Sequence, residues 1–236
     1  MFAAINANHS LGLLAGALSS FFWTVAYTLI IWRGFKDRTF GMPLAALAAN
    51  LSWEVIFLCD TLAINAYDAR LAMILPWTLL DGAIVFQAFR HGKNDFKNPL
   101  IARYFNIGLI GIIGFAAIIL LSVIREFHDA IGWYAAFGQN LMMSILFVAM
   151  LLRRDHLRGQ SISIAVCKLL GTFFAFVLAL FWSPPSLHEH WAALLPDSYH
   201  PIAPLLTTLY TGIFVFDTLY IVLLLKKRRE LTPARS

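Results

Sequence analysis

Seven apolar runs, each long enough to cross a bilayer, constrain this chain more than any other feature. A membrane-spanning helix needs roughly 20 such residues. The runs fall at about 11–32, 43–64, 70–89, 104–124, 131–152, 161–182 and 202–225 of the 236 residues. The composition agrees, at 60% hydrophobic, 13% charged and a mean hydropathy of +0.72. Soluble domains carry about twice that charged fraction. The expected fold class is therefore all-α: a polytopic membrane protein with a single seven-helix transmembrane domain over residues 1–236. Connections are short except for 183–201, and no linker or internal repeat divides the chain. The opening MFAAINANHS lacks a basic n-region, so the first helix reads as a retained anchor.

Charge sets the expected orientation. Fifteen of the 18 Lys and Arg residues fall in the 1–2, 3–4 and 5–6 connections and the C-terminal tail. The positive-inside rule then puts the N-terminus outside and the C-terminus in the cytosol. It also accounts for the net charge of +5 without nucleic acid as a partner. Cys59 and Cys167 lie within apolar spans and read as small core residues. No Cys/His spacing points to a metal.

Ionisable groups inside spans are costly and usually functional. Five occur: Glu54 and Asp60 in span 2, Asp81 in span 3, Lys168 in span 6 and Asp217 in span 7. Glu54 lies 11 residues beyond Pro43, roughly 16 Å along a helix. Asp81 and Asp217 each lie nine residues before a basic residue, roughly 13 Å deep. These three acids can share one layer of a bundle. Lys168 and Asp60 sit nearer opposite faces, and Lys168 is expected to serve the cytosolic mouth.

Helical phase turns these positions into faces. Asn50, Trp53, Glu54 and Phe57 share one side of span 2. Tyr210, Phe214, Asp217 and Tyr220 do much the same on span 7, and Trp77 and Asp81 on span 3. Span 5 brings the amides of Gln139 and Asn140 to mid-membrane depth. The expected site is a few carboxyl groups in an aromatic-lined pocket.

Carboxyl groups in a low-dielectric pocket resist ionising, so one is expected to keep its proton near neutral pH. A neutral acid among hydrocarbon walls can protonate an epoxide or an alkene. Aromatic faces can then stabilise the cation by about 0.5–2 kcal/mol each. Such chemistry needs no metal or other cofactor. The same residues could instead form a proton relay in a small-molecule transporter, a receptor pocket, or a purely structural acid pair. A retinal protein is set aside, because span 7 has no lysine for a Schiff base. The DDxxD and DxDD motifs of soluble terpene cyclases are absent.

Five stretches, in order, carry a resemblance. They are NLSWEVIF, PWTLLDGAIVFQAFRHGK, GQNLMMSILFVAMLLRR, GQSISIAVCKLLGT and FVFDTLYIVLL. Together they resemble the membrane-bound terpene cyclases of fungal meroterpenoid and indole-diterpene pathways and their bacterial drimentine-type relatives. The resemblance implies that Glu54 and Asp217 are the catalytic acids; they are expected to partner each other as one acid centre, with Asn50 orienting Glu54 from one turn away. It implies protonation of a prenyl chain, farnesyl-type on an aromatic, indole or other head group, then cation-olefin cyclisation and proton loss. Asn50, Trp53, Phe57, Trp77, Asp81, Gln139, Asn140, Tyr210, Phe214 and Tyr220 are the expected substrate-binding or cation-stabilising residues. The implied partners are the prenylated substrate, the lipid bilayer and, upstream, a prenyltransferase and an epoxidase where the chain is oxidised. The membrane would be the endoplasmic reticulum in a eukaryote or the inner membrane in a bacterium.

Overall fold

The computed structural model describes residues 2–64, 69–129, 131–181 and 204–231. The described residues form seven long helices: α1 (Phe2–Asp37), α2 (Leu44–Ala63), α3 (Ala69–His91), α4 (Pro99–Glu126), α5 (Trp133–Arg154), α6 (Ile162–Phe181) and α7 (Pro204–Leu231). A 3-10 turn (Gly92–Asp95) follows α3. All seven helices are long and apolar enough to span a membrane. Hydrocarbon offers no water to backbone N–H and C=O groups, so a spanning segment satisfies them within a helix. The long 183–201 connection lies outside the described residues.

The helices outrun the apolar runs at several ends. α1 continues to Asp37, and α7 continues to Leu231 through four consecutive basic residues. Helical backbone remains favourable beyond the hydrocarbon, so hydropathy alone places these ends too early. α4 begins at Pro99 because Asn98 caps it. The Asn98 side chain accepts the Leu100 N–H at 2.9 Å, and proline suits the first helical position.

Six helices close a ring. α1 packs on α6, α6 on α7, α7 on α5, α5 on α2, α2 on α3 and α3 on α1. α4 lies outside it, mainly against α2, and buries only Phe105, Leu109 and Leu120. The rest of its apolar surface suits lipid. In a bilayer, helix association rests on close packing rather than on exclusion of water. The extensive α1–α6 contact shows how: Ser19 Oγ donates to the Gly171 carbonyl at 2.9 Å, and a Cβ on Gly171 would lie 2.7 Å from Trp23. Only glycine lets the two helices meet there.

The basic segments converge at one end of the ring. Buried Arg154 donates to buried Asp95 at 2.7 Å and to the Phe40 carbonyl at 3.0 Å. Thr39 donates to the same Asp95 carboxylate. The Gly159 N–H donates to Asp37 at 2.8 Å, and Arg158 donates to the Asp37 carbonyl at 3.0 Å. The ends of α1, α3 and α5 are thereby tied together around two carboxylates.

The two cysteines are free. Cys59 was expected in the core, but it is exposed on the outer face of α2. The inward face of that helix is taken by Asn50, Glu54, Phe57 and Thr61.

Candidate active site

Two separate polar clusters occupy the ring interior. The first joins α1, α2 and α3. Asn50 donates to Asp81 Oδ2 at 3.0 Å and also to the Tyr27 hydroxyl. Tyr27 in turn donates to Glu54 Oε1 at 3.4 Å. Glu54 and Asp81 are thereby linked through Tyr27 and Asn50. Glu54 Oε2 and Asp81 Oδ1 are buried and have no hydrogen-bond partner among the described residues. A buried carboxylate oxygen without a donor is costly, whereas a protonated carboxyl group is neutral, so this arrangement suits an acid that keeps its proton. Glu54 has no salt-bridge partner among the described residues.

The second cluster joins α5, α6 and α7. Lys168 Nζ donates to Asp217 Oδ1 at 2.8 Å, to Asp217 Oδ2 at 2.9 Å and to Ser144 Oγ at 2.7 Å. An ammonium has three N–H donors, and each has an acceptor here. Both Asp217 oxygens accept, which is the pattern of a carboxylate. Lys168 and Asp217 side chains are each 2% exposed.

Aromatic rings of α1 separate the clusters. The Trp23 and Tyr27 ring centroids are 5.8 Å apart, and Lys168 Nζ lies 5.8 Å from the Trp23 centroid. Neither ring was among the expected site residues. Their signal was present: Ser19, Trp23 and Tyr27 recur every fourth residue in an otherwise apolar span. A mid-span tyrosine carries a hydroxyl that must find a partner inside the protein.

Three expectations need correction. Glu54 and Asp217 were expected to partner each other, yet each has a different neighbour. Lys168 draws Asp217 into an ion pair, because an ammonium is a stronger partner for a carboxylate than another acid is. Asn50 was expected to orient Glu54, but its amide serves Asp81 and Tyr27 instead. Lys168 was expected at the cytosolic mouth, but it is fully buried.

The remaining residues divide by neighbourhood. Trp53 packs against Phe57 with centroids 4.6 Å apart and planes tilted by 41°, and donates from Nε1 to the Gly132 carbonyl at 3.1 Å. Gly132 has φ +72°, and a Cβ there would lie 2.4 Å from Phe57. The two rings thus seat the start of α5. Trp77 donates to Thr24 at 3.2 Å, between α3 and α1. Tyr210 packs edge-on against Phe137 at 4.5 Å and Phe176 at 4.7 Å, with Phe214 beside Phe176 at 6.1 Å. The Tyr210 hydroxyl is buried without a partner among the described residues. Asn140 donates to Thr172 at 2.9 Å, while the side-chain carbonyl oxygens of Asn140 and Gln139 have no donor there. Tyr220 packs on Phe147 and donates to Gln160 at 3.0 Å, close to the basic end. Among the described residues, no three His, Cys, Asp or Glu side chains gather as a metal would require.

Residues 9–230 match the Pyr4-like transmembrane terpene cyclases. The chain belongs to that family. The Pyr4-family terpene cyclase mfmH of Annulohypoxylon moriforme is 30% identical over 170 residues, 69% of this chain and 68% of the relative. The terpene cyclase ascF of Acremonium egyptiacum is 28% identical, over 72% of this chain and 68% of its own length. The terpene cyclase pyr4 of Aspergillus fumigatus is 26% identical, over 88% and 83%. No solved structure matches this terpene cyclase. Membership favours an integral, multi-pass membrane enzyme over the transporter and receptor readings. It also sets the two clusters in the interior of a cyclase.

Proposed function

We propose that this cyclase folds a prenyl chain in the ring interior and protonates its epoxide or terminal alkene from the Glu54–Asp81 pair. The observation that carries the reading is the buried Glu54–Tyr27–Asn50–Asp81 network, in which neither acid has a cation beside it among the described residues. Delivery of that proton to the substrate opens the epoxide or forms a tertiary cation. Cation-olefin cyclisation follows, and loss of a proton restores an alkene. The net reaction is an isomerisation. The negative charge that remains on Glu54 is met by the Tyr27 hydroxyl at Oε1, while the Asn50 amide stays on Asp81 Oδ2.

Trp23 and Tyr27 flank this centre, and their ring faces suit a passing cation. Trp53 and Phe57 line the α2 wall beyond Glu54. The Tyr210, Phe137 and Phe176 cluster extends the aromatic surface along α5–α7. The unpartnered carbonyls of Gln139 and Asn140 can accept from a polar head group. A farnesyl-type chain on an aromatic, indole or other head group suits these surfaces, and the named relatives are themselves terpene cyclases. No metal has a part in this reading. A prenyltransferase, with an epoxidase for an oxidised chain, would supply the substrate. The basic end would face the cytosol, in endoplasmic reticulum or in a bacterial inner membrane.

The test incubates membranes bearing the protein with farnesylated acceptors, with and without a terminal epoxide. A product of unchanged mass and altered retention is expected. Glu54→Gln should abolish it while the protein still accumulates. Full activity in Glu54→Gln would sink the assignment of the proton source.

A further inference from the structure

We propose that Asp217 is the base that ends the cyclisation, and that Lys168 and Ser144 are positioning residues that keep it ionised for that step. The inference rests on the reading of Glu54 and Asp81 as the proton source. It departs from the expectation that Glu54 and Asp217 form one acid centre.

The two clusters differ in what they can give. Glu54 and Asp81 have no cation partner among the described residues, and each has a buried oxygen without a donor. Asp217 accepts two N–H bonds from one ammonium. A carboxylate so held has no proton to donate, but it keeps a lone pair for one. Ser144 takes the third donor of Lys168 and itself donates its hydroxyl to no acidic group. The Ser144 hydroxyl is anchored on the main-chain carbonyl of Asn140 at 2.9 Å, one turn back along α5. The ammonium is therefore fixed from two helices, and its position fixes Asp217.

Placement supports the division of labour. The Trp23 and Tyr27 rings separate the proton-bearing cluster from the anionic one. A cation generated beside Glu54 and propagated along the prenyl chain moves away from that acid. A fixed anion beyond the rings attracts it and stands ready where the charge ends. In the terminating step a C–H bond adjacent to the cation breaks, and its electron pair becomes the new alkene. The proton goes to a carboxylate oxygen of Asp217, which remains hydrogen-bonded to Lys168. Water then takes that proton and recharges Glu54 between turnovers, so the reaction stays an isomerisation.

The test separates starting from ending the reaction by product analysis. Membranes bearing Asp217→Asn, Lys168→Met, Lys168→Arg and Glu54→Gln receive the same prenylated acceptor. Glu54→Gln should consume none of it. Asp217→Asn and Lys168→Met should still consume it, but the wild-type product should fall about 10²-fold. Alkene isomers and water-captured alcohols should replace that product. Lys168→Arg should recover the wild-type product, because a guanidinium also donates twice to a carboxylate. Ser144→Ala removes only one hydroxyl and should shift products in the same direction. Should the single charge variants fail to accumulate, Lys168→Met with Asp217→Leu removes both buried charges at once, a change that folds commonly tolerate. That double variant should show the same shift. Unchanged product ratios in the double variant and in Ser144→Ala would reduce the pair to a structural role. An accumulating Asp217→Asn that consumes no substrate would overturn the inference and return Asp217 to initiation. Activity in Glu54→Gln would instead count against the proton source alone.

Discussion

The Tyr27 hydroxyl of α1 lies 3.4 Å from Glu54 Oε1 of α2, across the ring interior, where the two backbones make no close approach. One phenol thus links two facing helices and lies against the carboxyl pair. The same hydroxyl accepts from Asn50, so it completes a chain from α3 through α2 to α1.

Tyr27→Phe removes that link and little volume. A hydrogen bond to a carboxyl group contributes about 1.5 kcal/mol or more, which corresponds to roughly tenfold in rate when it is felt in the transition state. The expected outcome is a cyclisation rate lowered about tenfold at unchanged protein level. Initial rates in membranes, normalised to the amount of cyclase, check it.

Asp81→Asn should be nearly as damaging as loss of Glu54. An amide in that place cannot hold or relay an acidic proton, and positioned acid–base groups commonly contribute 10²-fold or more. The rate should fall by about that factor, with the same residual products as wild type. A rate within twofold of wild type would show that Glu54 acts without Asp81.

Gly171→Ala tests how the α1–α6 contact shapes the site. The new methyl would lie 2.7 Å from Trp23 Cδ1, so the ring or the helix must move. Overpacking of this kind costs roughly 1–3 kcal/mol. The Trp23 ring lies between Lys168 and Tyr27, so lowered thermal stability in detergent should come with an altered product ratio. Gly111→Ala, on α4 with no atom within 4 Å of the new carbon, should change neither.

The buried Arg154–Asp95 pair ties the 3-10 turn to the end of α5. Removal of one partner from a buried pair costs about 3–5 kcal/mol, because the other charge is stranded. Asp95→Ala should therefore lower the unfolding temperature strongly, as followed by thermal shift in detergent. Lys227→Ala loses only surface pairs, with exposed Asp155 and Glu230, and should leave the unfolding temperature unchanged within error.

Asp129 gives a pH dependence of known sign. Its carboxylate accepts the N–H groups of Trp133 and Ala135, each at 2.8 Å, at the start of α5. Burial nonetheless outweighs these bonds and holds the Asp129 carboxyl above its usual range. The folded state then binds this proton more tightly than the unfolded chain. The resulting stability is full below about pH 4, the ordinary aspartate value, and is lost as pH rises through the folded value. Asp129→Asn keeps an acceptor without the charge, so its stability relative to wild type should improve as pH rises through that window. Asp129→Ala should cost about 1 kcal/mol through loss of the cap. Unfolding temperatures of the three proteins across pH read both effects.

The sequence by itself determined the seven spanning helices, the inward face of α2 and the depth of its acid. Hydropathy and helical phase depend only on neighbours a few residues away, and a bilayer leaves a helix as the one economical spanning structure. The same local reasoning brought Asn50, Glu54, Asp81, Lys168 and Asp217 forward as charged or polar groups out of place. It could not assign their partners. Depth put Glu54, Asp81 and Asp217 in one layer, and that layer has several possible pairings. The order of helices around the ring decided among them. α3 stands beside α2, so Asp81 joins Glu54 through Asn50 and Tyr27. α6 stands beside α7, so Lys168 neutralises Asp217. α1 faces α2 across the interior, so Tyr27 enters a site in which no acid of its own span announced it. Pairing depends on which helices are neighbours, and that is a property of the packed bundle alone.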